Sequence, residues 1–269
     1  MSEYQPTQFG LYAGIGGFEL AFHAEGFRCV GMSEYEPHAA HVSGHWFAGT
    51  PNFGDVRAGD FIQRVRATCG RVDVLTGGVP CQPASLLGKR LGAADERWLW
   101  DRTIEITDGL RPGYAVFENP PAILTLDDGR AANGIISRLA EIGFDAFWQN
   151  IPAALTGAGH LRERLFIIAT NADCSGLQRH TGMHAESHPQ GAQRESAGGH
   201  LATPDLRGRT ERTQGGGYWW QETNTGVPVL ADGLSGKLVE AACRLTGNAV
   251  VPQVVQPIAR AIYNHMTHG

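Results

Sequence analysis

No stretch of this chain approaches the roughly 18 consecutive apolar residues that a membrane-spanning helix needs, and Met1 to Gln8 is polar, without the basic-then-apolar order of a secretory leader. A cytoplasmic protein with no membrane partner is therefore expected. Paired cysteine spacings are missing as well. The five cysteines, Cys29, Cys69, Cys81, Cys174 and Cys243, are scattered and include no Cys-x-x-Cys, so neither a disulfide framework nor a metal site is expected and reduced thiols are. Positive charge is also scarce: 22 Lys and Arg face 27 Asp and Glu, a formal net charge of −5. A protein that coats nucleic acid regardless of sequence wants a basic surface, so any such contact is confined to a local cleft.

What is present suits one sizeable globular domain, with or without a small appendage: 269 residues, 42% hydrophobic and 18% charged. Phe9 to Phe18 is a short apolar strand running into the turn Gly14-Ile15-Gly16-Gly17, with a helix over Glu19 to Glu25, the opening β-turn-α of a Rossmann-like sheet. A second strand, Phe27 to Met32, ends at Ser33-Glu34-Tyr35. This puts a carboxylate roughly 20 residues past the glycines, where such folds hold ribose hydroxyls; a solvated turn carboxylate is the plainer alternative. A helix over His38 to Trp46 leads to the turn Asn52-Phe53-Gly54-Asp55-Val56, in which Asp55 is by residue type an ordinary turn former. Phe61 to Thr68 reads as a crossing helix, and Val72 to Leu75 as a buried parallel strand.

Past that strand comes Gly77-Gly78-Val79-Pro80-Cys81-Gln82-Pro83-Ala84-Ser85, expected as a loop at the strand's carboxyl end, the edge where open α/β sheets carry their chemistry. An ordinary intracellular cysteine is a core residue; here glycines and prolines shape a loop that presents the thiol. Lys89 to Arg97 is polar and basic at its start, a segment able to close over a bound strand. After a helix over Trp98 to Leu110, the strand Tyr114 to Phe117 delivers Glu118 to the same edge as Cys81, where a carboxylate can give a proton to a ring. A helix over Ala131 to Gly143 and a strand over Phe144 to Ile151 follow. Arg162 and Arg164, before the strand Leu165 to Ala169, share one face and could both reach a single base or phosphate, or be plain surface arginines. From Asn171 to about Ser235 the composition turns to Gly, Thr, Ser, His, Gln and Arg, with the cluster Tyr218-Trp219-Trp220: either a loop-rich insert that reads a partner, or disorder. Helices over Leu238 to Leu245 and Gln253 to Tyr263, the latter opened by Gly247-Asn248-Ala249-Val250-Val251-Pro252, close the chain.

Gly-Gly-x-Pro-Cys-Gln followed by Glu-Asn, Arg-x-Arg and Gly-Asn-Ala-Val resembles, block by block and in order, the cytosine-5 DNA methyltransferases. The resemblance implies an α/β, Rossmann-like S-adenosylmethionine-dependent methyltransferase fold with a small loop-rich recognition insert. It divides the chain into a catalytic cofactor-binding domain over 1–170, a target-recognition insert over 171–235 and a segment over 236–269 that returns beside the first strand. The implied chemistry is methyl transfer to C5 of cytosine in double-stranded DNA, with Cys81 as nucleophile, Glu118 at N3, and Arg162 and Arg164 near O2. The implied cofactor is S-adenosyl-L-methionine, held by Phe9, Ala13, Gly14, Ile15, Gly16, Gly17, Phe18, Glu34, Tyr35, Asp55, Val56, Pro80, Asn248 and Ala249. Gln82, Ser85, Lys89, Arg90, Arg97, Trp219 and Trp220 are the expected DNA contacts, and the enzyme is expected to act as a monomer.

Three positions depart from the family pattern: Pro120 where Val is usual, Gly159 where Pro is, and His160 where Gln is. Asn119-Pro120-Pro121 also resembles the catalytic motif of the amino-methyltransferases of adenine N6 or cytosine N4, but Ala122 stands where those enzymes carry a stacking aromatic. The same C5 chemistry on structured RNA, and an inactive DNA-binding relative, complete the alternatives.

Overall fold

A computed structural model of the chain describes residues 4–80, 98–157, 162–172 and 245–268. These all belong to one compact unit, made of Met1–Arg179 and Glu240–Gly269. Cys81, Gln82, Ser85, Lys89, Arg90, Arg97, Gly159, His160, Trp219 and Trp220, and residues 173–235 of the expected recognition insert, lie outside the described residues; Asn171, expected to open that insert, instead ends the last strand of the sheet, paired with Phe144.

The described chain is an α/β Rossmann-like sheet. In order come β1 (Thr7–Leu11), α1 (Gly17–Ala24), β2 (Arg28–Ser33), α2 (Pro37–Trp46), α3 (Phe61–Cys69), β3 (Val74–Gly78), α4 (Trp100–Leu110), β4 (Tyr114–Asn119), α5 (Arg130–Glu141), β5 (Phe144–Pro152), β6 (Glu163–Asn171) and α6 (Pro252–His268). The strand order is β2-β1-β3-β4-β6-β5. β1 to β4 run parallel, and β6 lies antiparallel to both β4 and β5. Because the chain leaves β1 for β2 on one side and returns to β3 on the other, strand order reverses beside β1, and a crevice opens at the carboxyl ends of β1 and β3. β6 enters that edge from its amino end, placing Leu165 opposite Asn119 and Phe166 opposite Glu118.

Burial follows position in the sheet. β1 and β4 are buried along their whole length, while the outer strand β5 exposes most of its residues. Phe9, Phe53 and Phe61 meet on one face, and Trp100 stands edge-on to Phe117. On the other face Phe18, Phe22 and Phe27 pack with Val254, Val255 and Ile258 of α6. That last helix was expected beside the first strand; it packs on α1 instead, where Arg260 and Gln256 both bind Glu25 and Tyr263 lies against the Phe27 ring.

Two expectations shift. Gly77 and Gly78 belong to β3 and not to the loop, since they pair with Leu11, Phe117 and Glu118. Gly77 suits that place because a Cβ there would lie 3.2 Å from the backbone oxygen of Leu11. β3 also starts two residues later than the apolar run suggests, after Asp73 has taken hydrogen bonds from the backbone N and hydroxyl of Thr7. α1 begins at Gly17, whose Cβ, if present, would lie 2.3 Å from the backbone oxygen of Val250. Gly17→Ala must push α1 away from the segment ahead of α6, and is expected to cost about 1–3 kcal/mol in urea unfolding, the usual range for overpacking.

Candidate active site

Three strand ends build the site. β1 runs out into Tyr12, Ala13 and the turn Gly14–Gly17, where Gly14 and Gly16 take φ of 58° and 92°. Glu34, just past β2, accepts the Gly14 amide on Oε2 at 2.8 Å and the Glu36 amide on Oε1 at 2.7 Å. Asn52 ties this corner to the next turn: its Oδ1 accepts from Glu34 N and Gly54 N, and its Nδ2 donates to Glu34 O, all at 3.0 Å. Ser33 Oγ donates to Gly54 O, and Arg102 of α4 holds the far side of the turn through the Val56 and Ala58 carbonyls.

Together these elements enclose a cavity of about 190 Å³ lined by Tyr12, Glu34, Tyr35, Asp55, Val56, Arg57, Pro80 and Leu99. Five of the expected cofactor residues, Glu34, Tyr35, Asp55, Val56 and Pro80, therefore face one space. Phe9 does not: it is fully buried between Phe53 and Phe61, because the alternation of β1 turns it into the core. Tyr12 lines the cavity in its stead, held at φ 52° with its hydroxyl 2.9 Å from that of Thr103. Burial pushes that phenol up to about 12. Phe18 is likewise a core residue, on the α6 side of the sheet. Ile15, Gly17 and Ala249 border a second cavity of about 370 Å³ beside Arg162 and Trp46, and Gly16 closes against the Phe47 ring. Asn248 is exposed.

The polar lining says what the first cavity can hold. A Rossmann turn with free amides invites a pyrophosphate, but here the Gly14 amide is already given to Glu34, and Asp55 adds a second carboxylate. An anion is disfavoured. The Glu34 carboxylate, which keeps a lone pair on each oxygen, an exposed Tyr35 ring and the apolar Val56 and Leu99 suit a nucleoside with hydroxyl donors and no phosphate. Asp55 also behaves as a turn former, since Arg57 N donates to its Oδ1 at 2.9 Å while the Arg57 guanidinium pairs with both oxygens. That pairing holds its carboxyl below the usual range.

Next to this cavity, Pro80 leads in sequence directly to Cys81. Val79, two residues before Cys81, is gripped by β4: its N donates to Glu118 O at 3.2 Å and Asn119 Nδ2 donates to its O at 2.8 Å. Asn119 is thus a site residue that sequence reasoning passed over; its place after Glu118 on a strand neighbouring β3 is the signal. Pro120 costs no sheet pairing, because β4 ends at Asn119 and the chain turns there into a 3-10 segment, Pro121–Leu124.

Glu118 is 7% exposed and accepts Arg164 Nε on Oε1 at 2.8 Å. Burial raises its carboxyl above the ordinary value, opposed by the Arg164 and Arg162 charges, so it is closer to being an acid than a surface glutamate is. The two arginines divide their work. Arg162 was expected beside Arg164 at one base, yet its guanidinium donates to Gly247 O at 2.7 Å and Ala249 O at 2.6 Å, clasping the segment ahead of α6. Burial and the Arg164 charge lower its pKa, with Glu118 acting the other way.

Comparison with known proteins identifies the lineage. A model of the C-5 cytosine-specific DNA methylases matches residues 7–223. The chain belongs to that family. Among curated relatives, the type II methyltransferase M.BsuFI of Bacillus subtilis is 32% identical over 169 residues, 62% of this chain and 40% of that protein. M.MspI of Moraxella sp. is 30% identical over 161 residues, 59% and 37% of the two chains. The chain thus spans less than half the length of these two relatives. The fold is shared with a DNA modification methyltransferase encoded within an E. coli prophage, at TM-score 0.53, 22% identity and 62% and 47% coverage. It is shared also with Spodoptera frugiperda DNMT2, at TM-score 0.51, 23% identity and 64% and 51% coverage.

Removing the Arg162 clasp leaves two carbonyls without their charged donor, at about 1.5–3 kcal/mol for such a bond. Arg162→Ala is expected to speed amide hydrogen exchange across residues 245–251 at least about tenfold, while Arg164→Ala leaves that segment unchanged.

Proposed function

We propose that this chain transfers a methyl group from S-adenosyl-L-methionine to C5 of cytosine in double-stranded DNA, the target base being flipped out of the helix. The observation that carries this is the convergence, on one sheet edge, of the carboxylate-lined nucleoside cavity, the strand end that leads to Pro80-Cys81, and the buried Glu118–Arg164 pair. Family membership supports the reaction class.

In this reading the adenosine half of the cofactor lies in the cavity, its hydroxyls toward Glu34 and its amino group toward Asp55. The Gly14–Gly17 turn and Ala249 accept the amino-acid half. When bound, the cofactor supplies an electrophilic methyl group. C5 of cytosine is a poor nucleophile, so the Cys81 thiolate adds at C6 while Glu118 hydrogen-bonds N3 and stabilises the charge that builds there. Burial suits Glu118 to that task by favouring its protonated form, and Arg164 holds its orientation. Once C5 carries the methyl group, with the cofactor left as S-adenosylhomocysteine, the C5 proton passes to solvent water, the C5–H electrons restore the C5–C6 double bond, and the C6–S bond breaks to release the Cys81 thiolate. Arg162 acts on this chemistry through the Gly247–Ala249 backbone and not at O2. Residues 171–235, with Trp219 and Trp220, read the target sequence, while Gln82, Ser85, Lys89, Arg90 and Arg97 hold the displaced base and backbone.

Labelled S-adenosylmethionine offered with duplex DNA or transfer RNA, followed by nucleoside analysis, tests the assignment. 5-Methylcytosine in DNA is expected. N4-methylcytosine, N6-methyladenine or label in RNA alone would overturn it. Cys81→Ser should abolish transfer, and Glu118→Gln should lower it at least about 100-fold, the scale of a lost acid-base group. A fluorinated cytosine at the target should trap the wild type covalently.

A further inference from the structure

Beside the Gly14–Gly17 turn the fold buries a carboxyl group with no charged partner among the described residues. Glu19, in the first turn of α1, has no exposed surface, and both its oxygens, together with Oε1 of Gln8, are buried without a hydrogen bond. Gln8 lies on β1; its Nε2 donates to Thr76 Oγ1 on β3 at 2.7 Å. The orphaned atoms in this cluster are three acceptors and no donor. Gly10 makes the cluster possible, since a Cβ there would lie 1.7 Å from Glu19 Oε1 and 3.4 Å from Gln8 Nε2.

An ionised carboxylate in such a place needs a cation, and among the described residues only its own backbone N–H and the Gln8 side chain favour its charge, against the larger cost of burial. From β2 it faces Glu34, a like charge, and the thiol of Cys29. On its own helix His23 is exposed and stands edge-on to Phe47, and on α6 Arg260 is bound to Glu25. One added proton pairs two of the three atoms and removes the buried charge: a neutral carboxyl can donate to Gln8 Oε1 while Gln8 Nε2 keeps Thr76. We propose that Glu19 is a positioning residue for the cofactor turn, held as the neutral acid and hydrogen-bonded to Gln8 so that α1 docks the Gly14–Gly17 turn on β1.

Resting on the cofactor assignment above, this has a pH signature. Burial pushes Glu19 up to about 7, above the roughly 4.3 of an unfolded glutamate. The stability its neutral form contributes is complete below the lower value, declines as pH rises between the two, and is gone above about 7. Ionised Glu19 also repels Glu34, whose Oε2 holds the Gly14 amide, so the turn loosens and cofactor affinity falls with it.

Glu19→Gln keeps the shape and an N–H donor for Gln8 but cannot ionise. Binding of S-adenosylhomocysteine, the demethylated cofactor, is measured by calorimetry at about pH 6 and pH 8.5. The wild type is expected to lose about fivefold or more in affinity across this range, and the variant to stay within about twofold. Infrared titration of the cofactor-free wild type provides a second readout: the carbonyl band of a buried protonated acid should disappear near neutral pH. The band should persist in Glu118→Gln, which excludes the other raised carboxyl as its source. Parallel affinity profiles in wild type and Glu19→Gln, or no such band, would overturn the role of Glu19. A wild type that shows the band but binds no S-adenosylhomocysteine at any pH would overturn the cofactor assignment, and the positioning role with it.

Discussion

The parallel insertion of β3 between β1 and β4 is the constraint from which the site follows. Leu11 pairs with Gly77 and Gly78 with Glu118, so three strands end level with one another. From that line the glycine turn leaves β1, the Pro80-Cys81 segment leaves β3 and the acid stands on β4. Neither Gly77 nor Gly78 carries a side chain to force the strands apart, and a β3 displaced by one residue would turn its buried face over. The hydrogen bonds from Val79 N to Glu118 O and from Asn119 Nδ2 to Val79 O carry this alignment one residue past β3, to Val79.

Charge is distributed around this line in opposite senses. The cavity beside the glycine turn is lined by Glu34, Asp55 and Arg57; Arg57 pairs with Asp55, and the turn has given an amide to Glu34. An amide already given to a carboxylate is one donor fewer for a phosphate, which separates this turn from those of dinucleotide sites. A short distance along the edge, Glu118 is buried and countered by Arg164, while Arg162 closes the segment ahead of α6. A buried pair of this kind is weak support for stability, because desolvation offsets most of the attraction. Its contribution is to hold the acid in one orientation.

The glycine and carboxylate positions were legible because each has a local cause. A turn that needs positive φ selects glycine, and a carboxylate spaced about 20 residues past that turn falls at the end of the second strand whatever the packing. Glu34, Asp55 and Pro80 line one cavity, and Glu118 stands buried at the end of β4. Phe9 and Tyr12 were harder to separate. Both are aromatic and three residues apart; the phase of β1 sends Phe9 inward, and Tyr12, past the strand end at φ 52°, turns to the cavity. For Arg162 and Arg164 the period of a strand predicts a shared face, yet Arg162 stands just ahead of β6 and its guanidinium finds carbonyls contributed from more than 80 residues away.

The sequence by itself determined the class of fold, the order of its blocks, and which residue types stand at the ends of strands, because these depend on local periodicity and on backbone angles that only a few residues adopt. Tertiary structure decided which of those residues share a cavity, how the two arginines are divided, and that Glu19 is sealed in without a cation. Those outcomes rest on strand register, helix docking and desolvation, which are properties of the assembled sheet and of no single segment.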